Sequence, residues 1–172
     1  SEFREGSLLE AMPDAAERQL GNVTWIIDYN RQNLDGTRIP NESGLAARDC
    51  DRIERTALAN GWVVHQARHG SFREELFTRP DGDALRECFE SGFSDYQYQL
   101  LLYKRDVALM REHLIETAPG AKALVDELDD AEVQRVMEDV GGHDMDVMMR
   151  VLSECRKGGD DPHLVIAHTI KG

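Results

Sequence analysis

Apolar residues recur at three- and four-residue steps from Leu8 and Leu9 through Met12, Ala15 and Ala16 to Leu20. That spacing lines one side of a helix and predicts one over 7–20. Pro13 falls inside it, where it marks either a helix start or a kink, and Gly21-Asn22 closes it. Residues 23–29 (VTWIIDY) change to a near-continuous apolar run, which predicts a strand covered on both faces, as in a parallel sheet. TRIPNESG (37–44) reads as a loop, 45–60 as a second helix closed by Asn60-Gly61, and 61–67 (GWVVHQA) as a second strand. Helical stretches follow at 72–77, 84–90, 96–103, 107–116, 121–127 and 131–138, the last with Asp129 or Asp130 as its N-cap. After Gly141-Gly142 a helix over 144–156 is expected, with Met145, Met148 and Met149 on its core side. A linker (157–162) leads to a final strand over 163–170 (HLVIAHTI).

Helix–strand–helix–strand, a helical block and one more strand make an α/β fold: a mostly parallel sheet flanked by helices. Such sheets bind ligands at the carboxyl ends of their strands. The 172 residues suit one domain or part of one, with a helical insertion at about 82–158. The abrupt start at SEFREG and the stop directly after a strand lead us to expect a fold incomplete at both ends, that is, a fragment.

Charge and cysteine usage narrow the function. With 33 acids against 20 bases the net charge is −13. This argues against nucleic-acid binding, which needs Lys and Arg on phosphates, and suits a solvated acidic surface. A small phosphorylated ligand stays possible, because a metal and backbone N–H groups can hold it. Cys50, Cys88 and Cys155 are dispersed, without a C-x-x-C pair, and read as reduced intracellular thiols rather than a disulfide framework or a zinc site. No apolar run approaches a membrane span of about 18 residues, and no basic-then-apolar leader is present. The expected setting is cytoplasmic, with no membrane partner.

The first strand ends in NRQNLDG (30–36), a run of side-chain amides that packing does not require. Asn30 and Gln32 can offer oxygens at i and i+2, part of the six-oxygen octahedral shell that Mg²⁺ prefers. The same residues also suit an Asx-type turn into Asp35-Gly36. Lys171 closes AHTIKG (167–172) at another strand end. There it could stabilise substrate charge or simply be exposed. His168 is either a satisfied core histidine or a catalytic one. His143 reads as a turn or cap residue, and His65, His69, His113 and His163 show no partner spacing.

IIDYNRQNLDG resembles the second half of the thiamine-diphosphate motif, which runs from Gly-Asp-Gly at one strand end to an Asn after the next. GW.V at Gly61–Val64, GGHD at 141–144 and AHTIKG at 167–172 extend the resemblance, and SDYQ (94–97) and REHL (111–114) match the family's helical insertion. Together these ordered landmarks are most similar to homodimeric pyruvate dehydrogenase, the decarboxylating component of the 2-oxo-acid dehydrogenase complex. They span essentially the whole chain. Transketolases share the motif but differ in the loop and the last strand.

The resemblance implies a transketolase-like thiamine-diphosphate-binding fold and the cofactors thiamine diphosphate and Mg²⁺. Asn30 would give the metal its side-chain oxygen and Gln32 its backbone carbonyl. The motif's Asp, a third ligand, would fall immediately before Ser1. The N–H groups of Ser1 and Glu2 would meet the diphosphate, and Ser1 stands where the motif usually has its second Gly. Leu34 would make an apolar cofactor contact, Asp28 would hold the loop, and Lys171 would act on the substrate, with His168 as the second catalytic candidate. The implied reaction is decarboxylation of pyruvate or a related 2-oxo acid, in a homodimer that passes the acyl group to a lipoyl-bearing acyltransferase. Because the family's activating glutamate lies beyond these residues, the segment alone is expected to be inactive. A transketolase-like enzyme segment, as a close variant, and a non-catalytic module retaining the fold remain open; Gly-Asp before Ser1 supports a working cofactor site, and a residue there unable to bind Mg²⁺ favours the module.

Overall fold

The computed structural model describes residues 6–33, 36–37 and 49–171. Helix α1 (Gly6–Glu17) leads into strand β1 (Thr24–Tyr29), followed by a minimal hairpin of β2 (Gln32–Asn33) and β3 (Gly36–Thr37). Helix α2 (Asp49–Ala59) then precedes β4 (Val63–Ala67). Seven α-helices, with short π- and 3₁₀-turns between them, intervene before β5 (His163–His168): α3 (Ser71–Phe77), α4 (Gly82–Glu87), α5 (Asp95–Lys104), α6 (Val107–Thr117), α7 (Lys122–Glu127), α8 (Asp130–Glu138) and α9 (Met145–Cys155). The chain is thus α/β, and its main sheet is parallel, in the order β1–β5–β4.

Local chemistry sets several helix starts. The Ser94 side chain accepts the Gln97 backbone N–H at 3.1 Å while the Gln97 side chain accepts that of Ser94 at 3.1 Å. This reciprocal capping box satisfies two N–H groups that no helical turn can reach. Asp129 and Glu132 repeat it at the start of α8, at 2.8 and 2.9 Å. Asp106 and Asp144 cap α6 and α9 with single bonds to Leu109 and Val147. Pro13 neither starts nor breaks α1, which runs continuously through it.

Burial on both faces, expected of the first strand, belongs instead to the last. All six residues of β5 are buried, because β5 has a strand on each side. Ile26 of β1 is 55% exposed, consistent with an outer position in the described sheet. On the other face, Trp25, Ile27 and Tyr29 pack with Leu164 and Ile166 against Met12 and Ala15 of α1 and Ile53 and Ala57 of α2. Trp62 completes this layer, its ring 4.5 Å from that of Trp25 and its indole N–H donating to Met12 O at 2.8 Å. Gly141 and Gly142 are fixed by close approach. A Cβ would lie 2.5 Å from the Ala67 carbonyl carbon at the first position and 2.4 Å from His168 O at the second. The GG pair therefore seats its turn directly on the ends of β4 and β5.

Helix α9 differs from expectation. Met145 and Met149 are 73% and 58% exposed, while Val147 and Cys155 are buried. The helix meets β4 and β5 through the side bearing Val147 and Cys155, and this turns Met145 and Met149 outward. Strand β5 also stops at His168, short of Ile170. There the Ile170 N–H donates to His143 Nε2 at 2.9 Å instead of continuing a ladder. Among the described residues no helix is long and apolar enough to cross a membrane.

The helical block has a core of its own, running from Phe72 through Leu85, Met110 and Leu114 to Met137. Inside it lies one cation, Arg73. Its guanidinium donates to Val136 O at 2.5 Å, Met137 O at 2.8 Å and Tyr98 Oη at 2.7 Å, and sits 3.8 Å from the Phe89 ring centre. The carbonyls at the end of α8 are satisfied this way, so the charge joins α3, α5 and α8. Replacing it with an apolar chain strands those buried carbonyls. Arg73→Met should lower unfolding free energy by about 3 kcal/mol, read from chemical-denaturation midpoints.

Candidate functional site

The carboxyl ends of β1 and β5 lie side by side, Tyr29 opposite His168. The Thr169 N–H continues the pairing, donating to Tyr29 O at 3.1 Å. Beyond this point Asn30 and Arg31 leave one strand and Thr169, Ile170 and Lys171 the other. Asp28 links them: Thr169 Oγ1 donates to one carboxylate oxygen and Asn30 Nδ2 to the other, at 3.3 Å. A carboxylate only accepts, so it takes the NH₂ end of the Asn30 amide and turns the oxygen end away.

Arg31 sits between the two expected metal ligands with φ +61°. For a residue with a Cβ this left-handed conformation costs about 1–3 kcal/mol and persists only where its surroundings impose it. Here they do. Arg31 Nε lies 3.3 Å from Asp95 Oδ1, with side-chain exposures of 7% and 4%. Its other nitrogens donate to Thr169 O and to His168 Nδ1, both at 3.4 Å, and the Tyr98 ring centre lies 4.7 Å from its central carbon. Asp95 is the first residue of α5, where the helix dipole also favours a negative charge. The turn after β1 is therefore locked to the start of α5.

His168 lies behind this turn. Because Arg31 can only donate, His168 Nδ1 accepts and Nε2 carries the proton toward Gln66 Oε1, at 3.1 Å. The buried ring also lies 4.9 Å from that of Tyr29. Both of its ring nitrogens are engaged in hydrogen bonds. Gln66 passes the network on, accepting from Arg68 at 2.9 Å and donating to Glu54 at 2.5 Å. His69 is buried nearby. Its burial, and then the positive charges of Arg73, Arg68, Arg86 and Arg31, lower its pKa to about 2. It is therefore a neutral imidazole, and its 3.4 Å contact with Glu90 is a hydrogen bond to a carboxylate rather than an ion pair.

In front of the turn a groove of about 620 Å³ opens between the strand ends and α5. Asn30, Thr169 and Lys171 line one side, and Tyr96, Gln99 and Tyr103 the other. Gln99 donates to Asn30 O at 3.4 Å. The fold thus brings Asn30 and the exposed Lys171 onto one cavity. Gln32 lies two residues beyond Asn30 in the small hairpin, paired with Thr37; its side chain, like the whole of Ser1, Glu2 and Leu34, lies outside the described residues. Reading the sequence did not single out Arg31, Asp95 or Gln99. The Ser94-x-x-Gln97 capping signature places Asp95 at a helix start, but nothing local pairs it with Arg31. What the arrangement offers chemically is oxygen donors and a cation at the mouth of a groove, a set suited to a hard metal ion and an anionic ligand.

No known family profile matches the chain. Among curated proteins, it is 30% identical over 158 residues to the pyruvate dehydrogenase E1 component of Corynebacterium glutamicum, an alignment covering 92% of this chain and 16% of that protein. The same component of Pseudomonas aeruginosa is 28% identical over 172 residues, 99% of this chain and 18% of the relative. That of Escherichia coli K12 is 27% identical over 163 residues, 94% and 17%. The chain therefore spans only about a sixth of the length of these relatives.

Two outcomes follow from the buried charges. Asp95→Leu leaves Arg31 buried without this counter-charge and should cost about 3–5 kcal/mol of stability, most of which the double variant Arg31→Met/Asp95→Leu should regain; denaturant titrations measure both. The His69 effect is a pH dependence. Unfolded, it takes up a proton below about pH 6.5; folded, it stays neutral down to about 2. Its contribution is thus complete above 6.5 and lost progressively as pH falls from there. His69→Gln should flatten that part of the stability–pH curve.

Proposed function

Because the chain is homologous over nearly its whole length to one segment of pyruvate dehydrogenase E1 components, we propose that it forms the metal-diphosphate-anchoring segment of a thiamine-diphosphate- and Mg²⁺-dependent pyruvate dehydrogenase. The observation that carries this reading is the placement of Asn30 and Lys171 on one groove at the carboxyl ends of adjacent parallel strands, where sheets of this type receive ligands. The donor chemistry fits. An amide oxygen with a backbone carbonyl two residues on is hard and neutral, as Mg²⁺ shared with a diphosphate requires.

In this reading Asn30 binds the metal through its side-chain oxygen and Gln32 through its backbone carbonyl. Asp28 orients the Asn30 amide, and Arg31, drawn back to Asp95, keeps its positive charge away from the cation. Lys171 at the groove mouth holds the carboxylate of pyruvate or a related 2-oxo acid by charge. Tyr96 and Tyr103 border the groove opposite Asn30 and Lys171. His168 holds Arg31 rather than exchanging protons with substrate. When bound, thiamine diphosphate supplies the carbanion chemistry that such a decarboxylation needs. Ser1, Glu2 and Leu34 would complete the cofactor's surroundings. A second subunit and a lipoyl-bearing acyltransferase would complete the enzyme and take up the acyl group.

Two measurements test the proposal. Calorimetry of thiamine diphosphate with Mg²⁺, performed on the full-length polypeptide carrying this segment, should show Asn30→Ala weakening cofactor binding at least about tenfold; unchanged affinity would remove Asn30 from the metal. The 172 residues alone, supplied with both cofactors, should give no decarboxylation of pyruvate, and measurable turnover would refute their dependence on the rest of the enzyme.

A further inference from the structure

The sheet face opposite α1 and α2 carries a second cluster, well away from the groove. His163 opens β5 and His65 lies within β4, on the same face because Val63 pairs with His163. Cys155, the last residue of α9, meets them there. His65 Nε2 and His163 Nδ1 are 3.1 Å apart, and one ligand atom from each of the three side chains lies within 4.8 Å of the others. His163 and Cys155 are buried, while His65 is half-buried and opens onto a groove of about 410 Å³ that Glu154 also lines.

We propose that His65, Cys155 and His163 form a binding site for a thiophilic divalent cation, with Zn²⁺ as its ligand, distinct from the oxygen-lined groove and independent of the function proposed for it. Zinc–nitrogen bonds of about 2.0–2.1 Å and zinc–sulfur bonds of about 2.3 Å put tetrahedral ligand atoms roughly 3.3–3.6 Å apart. The two imidazole nitrogens are already near that spacing, and the sulfur, within 4.8 Å of them, needs to close by no more than about 1.2 Å. One thiolate and two imidazoles select zinc over Mg²⁺ or Ca²⁺. The two titrating ligands pull in opposite directions, His65 toward binding and Cys155 against it at neutral pH. Burial, then the neighbouring His163, lowers the His65 pKa and keeps that ring in its neutral, ligating form. Burial raises the Cys155 pKa, so at neutral pH binding releases the thiol proton to solvent as the sulfur–metal bond forms. In the metal-free protein one ring N–H donates to the other ring; on binding, the donating ring carries its proton on its other nitrogen, so both rings stay neutral and both facing nitrogens are free for the ion. Water in the groove beside His65 could supply a fourth ligand. Dispersed cysteines without a C-x-x-C pair argued against a zinc site from sequence alone, but the ligands here come from three separate elements that only the fold assembles.

The site would staple the end of α9 to β4 and β5. In metal-free buffer, the protein should bind one equivalent of Zn²⁺, with a rise in melting temperature that a chelator reverses. Co²⁺ should give tetrahedral d–d bands with a near-ultraviolet thiolate-to-cobalt charge-transfer band. Cys155→Ser should abolish the charge-transfer band, and both it and His65→Gln should weaken Zn²⁺ binding at least about tenfold while leaving the circular-dichroism spectrum unchanged. Cys88→Ser and His143→Gln should bind as the parent does. Absence of the charge-transfer band in the parent protein overturns the proposal, as does Zn²⁺ affinity that survives in both Cys155→Ser and His65→Gln.

Discussion

A buried ion pair organises the molecule where it matters most. Arg31 and Asp95 are almost fully withdrawn from water, and removing two charges from solvent costs several kcal/mol each before their attraction offsets it. Such a pair is a poor source of stability; what it provides is geometry. Arg31 can hold a left-handed backbone only while its guanidinium is fixed at several points, and Asp95, Thr169 and His168 fix it. That backbone decides where the residues on either side of it are presented. The pair also joins the sheet to the helical block, so the groove between the strand ends and α5 has two walls rather than one. Arg73 has a similar part deeper in the block, where one guanidinium closes the end of α8 against α3 and α5.

Much of the fold is legible locally. The Ser94–Gln97 and Asp129–Glu132 capping boxes, the Gly61 stop with φ +80° and the β-rich run of 163–168 all have short-range causes, and the corresponding elements lie where those causes put them. What is not legible is set by sheet order. The apolar run in β1 looks as deeply covered as that in β5, but only β5 has strands on both sides. Likewise the methionines of α9 have helical spacing, and spacing alone does not say which side of a helix meets the sheet.

The site shows the same division. Asn30, Lys171 and His168 stand out because they follow or end recognisable strands. Arg31 reads as one more polar loop residue, and Asp95 as one more helix-start acid, until the chain folds them together. His65, His163 and Cys155 are more extreme: each is unremarked in its own segment, and their convergence depends on β4 and β5 being neighbours with α9 laid across them. Two donor sets of different character result. Oxygen atoms gather at the carboxyl ends of the strands, nitrogen and sulfur on the opposite face of the sheet, and hard and soft cations would be drawn apart accordingly.

In the proposed function, the groove at the carboxyl ends of β1 and β5 receives a metal-bound diphosphate. Mn²⁺ can stand in for Mg²⁺ at oxygen sites and broadens the nuclear resonances near it. Recorded on the ¹⁵N-labelled protein with Mn²⁺ and thiamine diphosphate, amide spectra should lose the signals of Asn30, Arg31, Thr169, Ile170 and Lys171 and keep those of Glu154, Cys155 and His163. Broadening centred on any other part of the protein, or intact signals throughout the groove, would show that the diphosphate and its metal do not bind there.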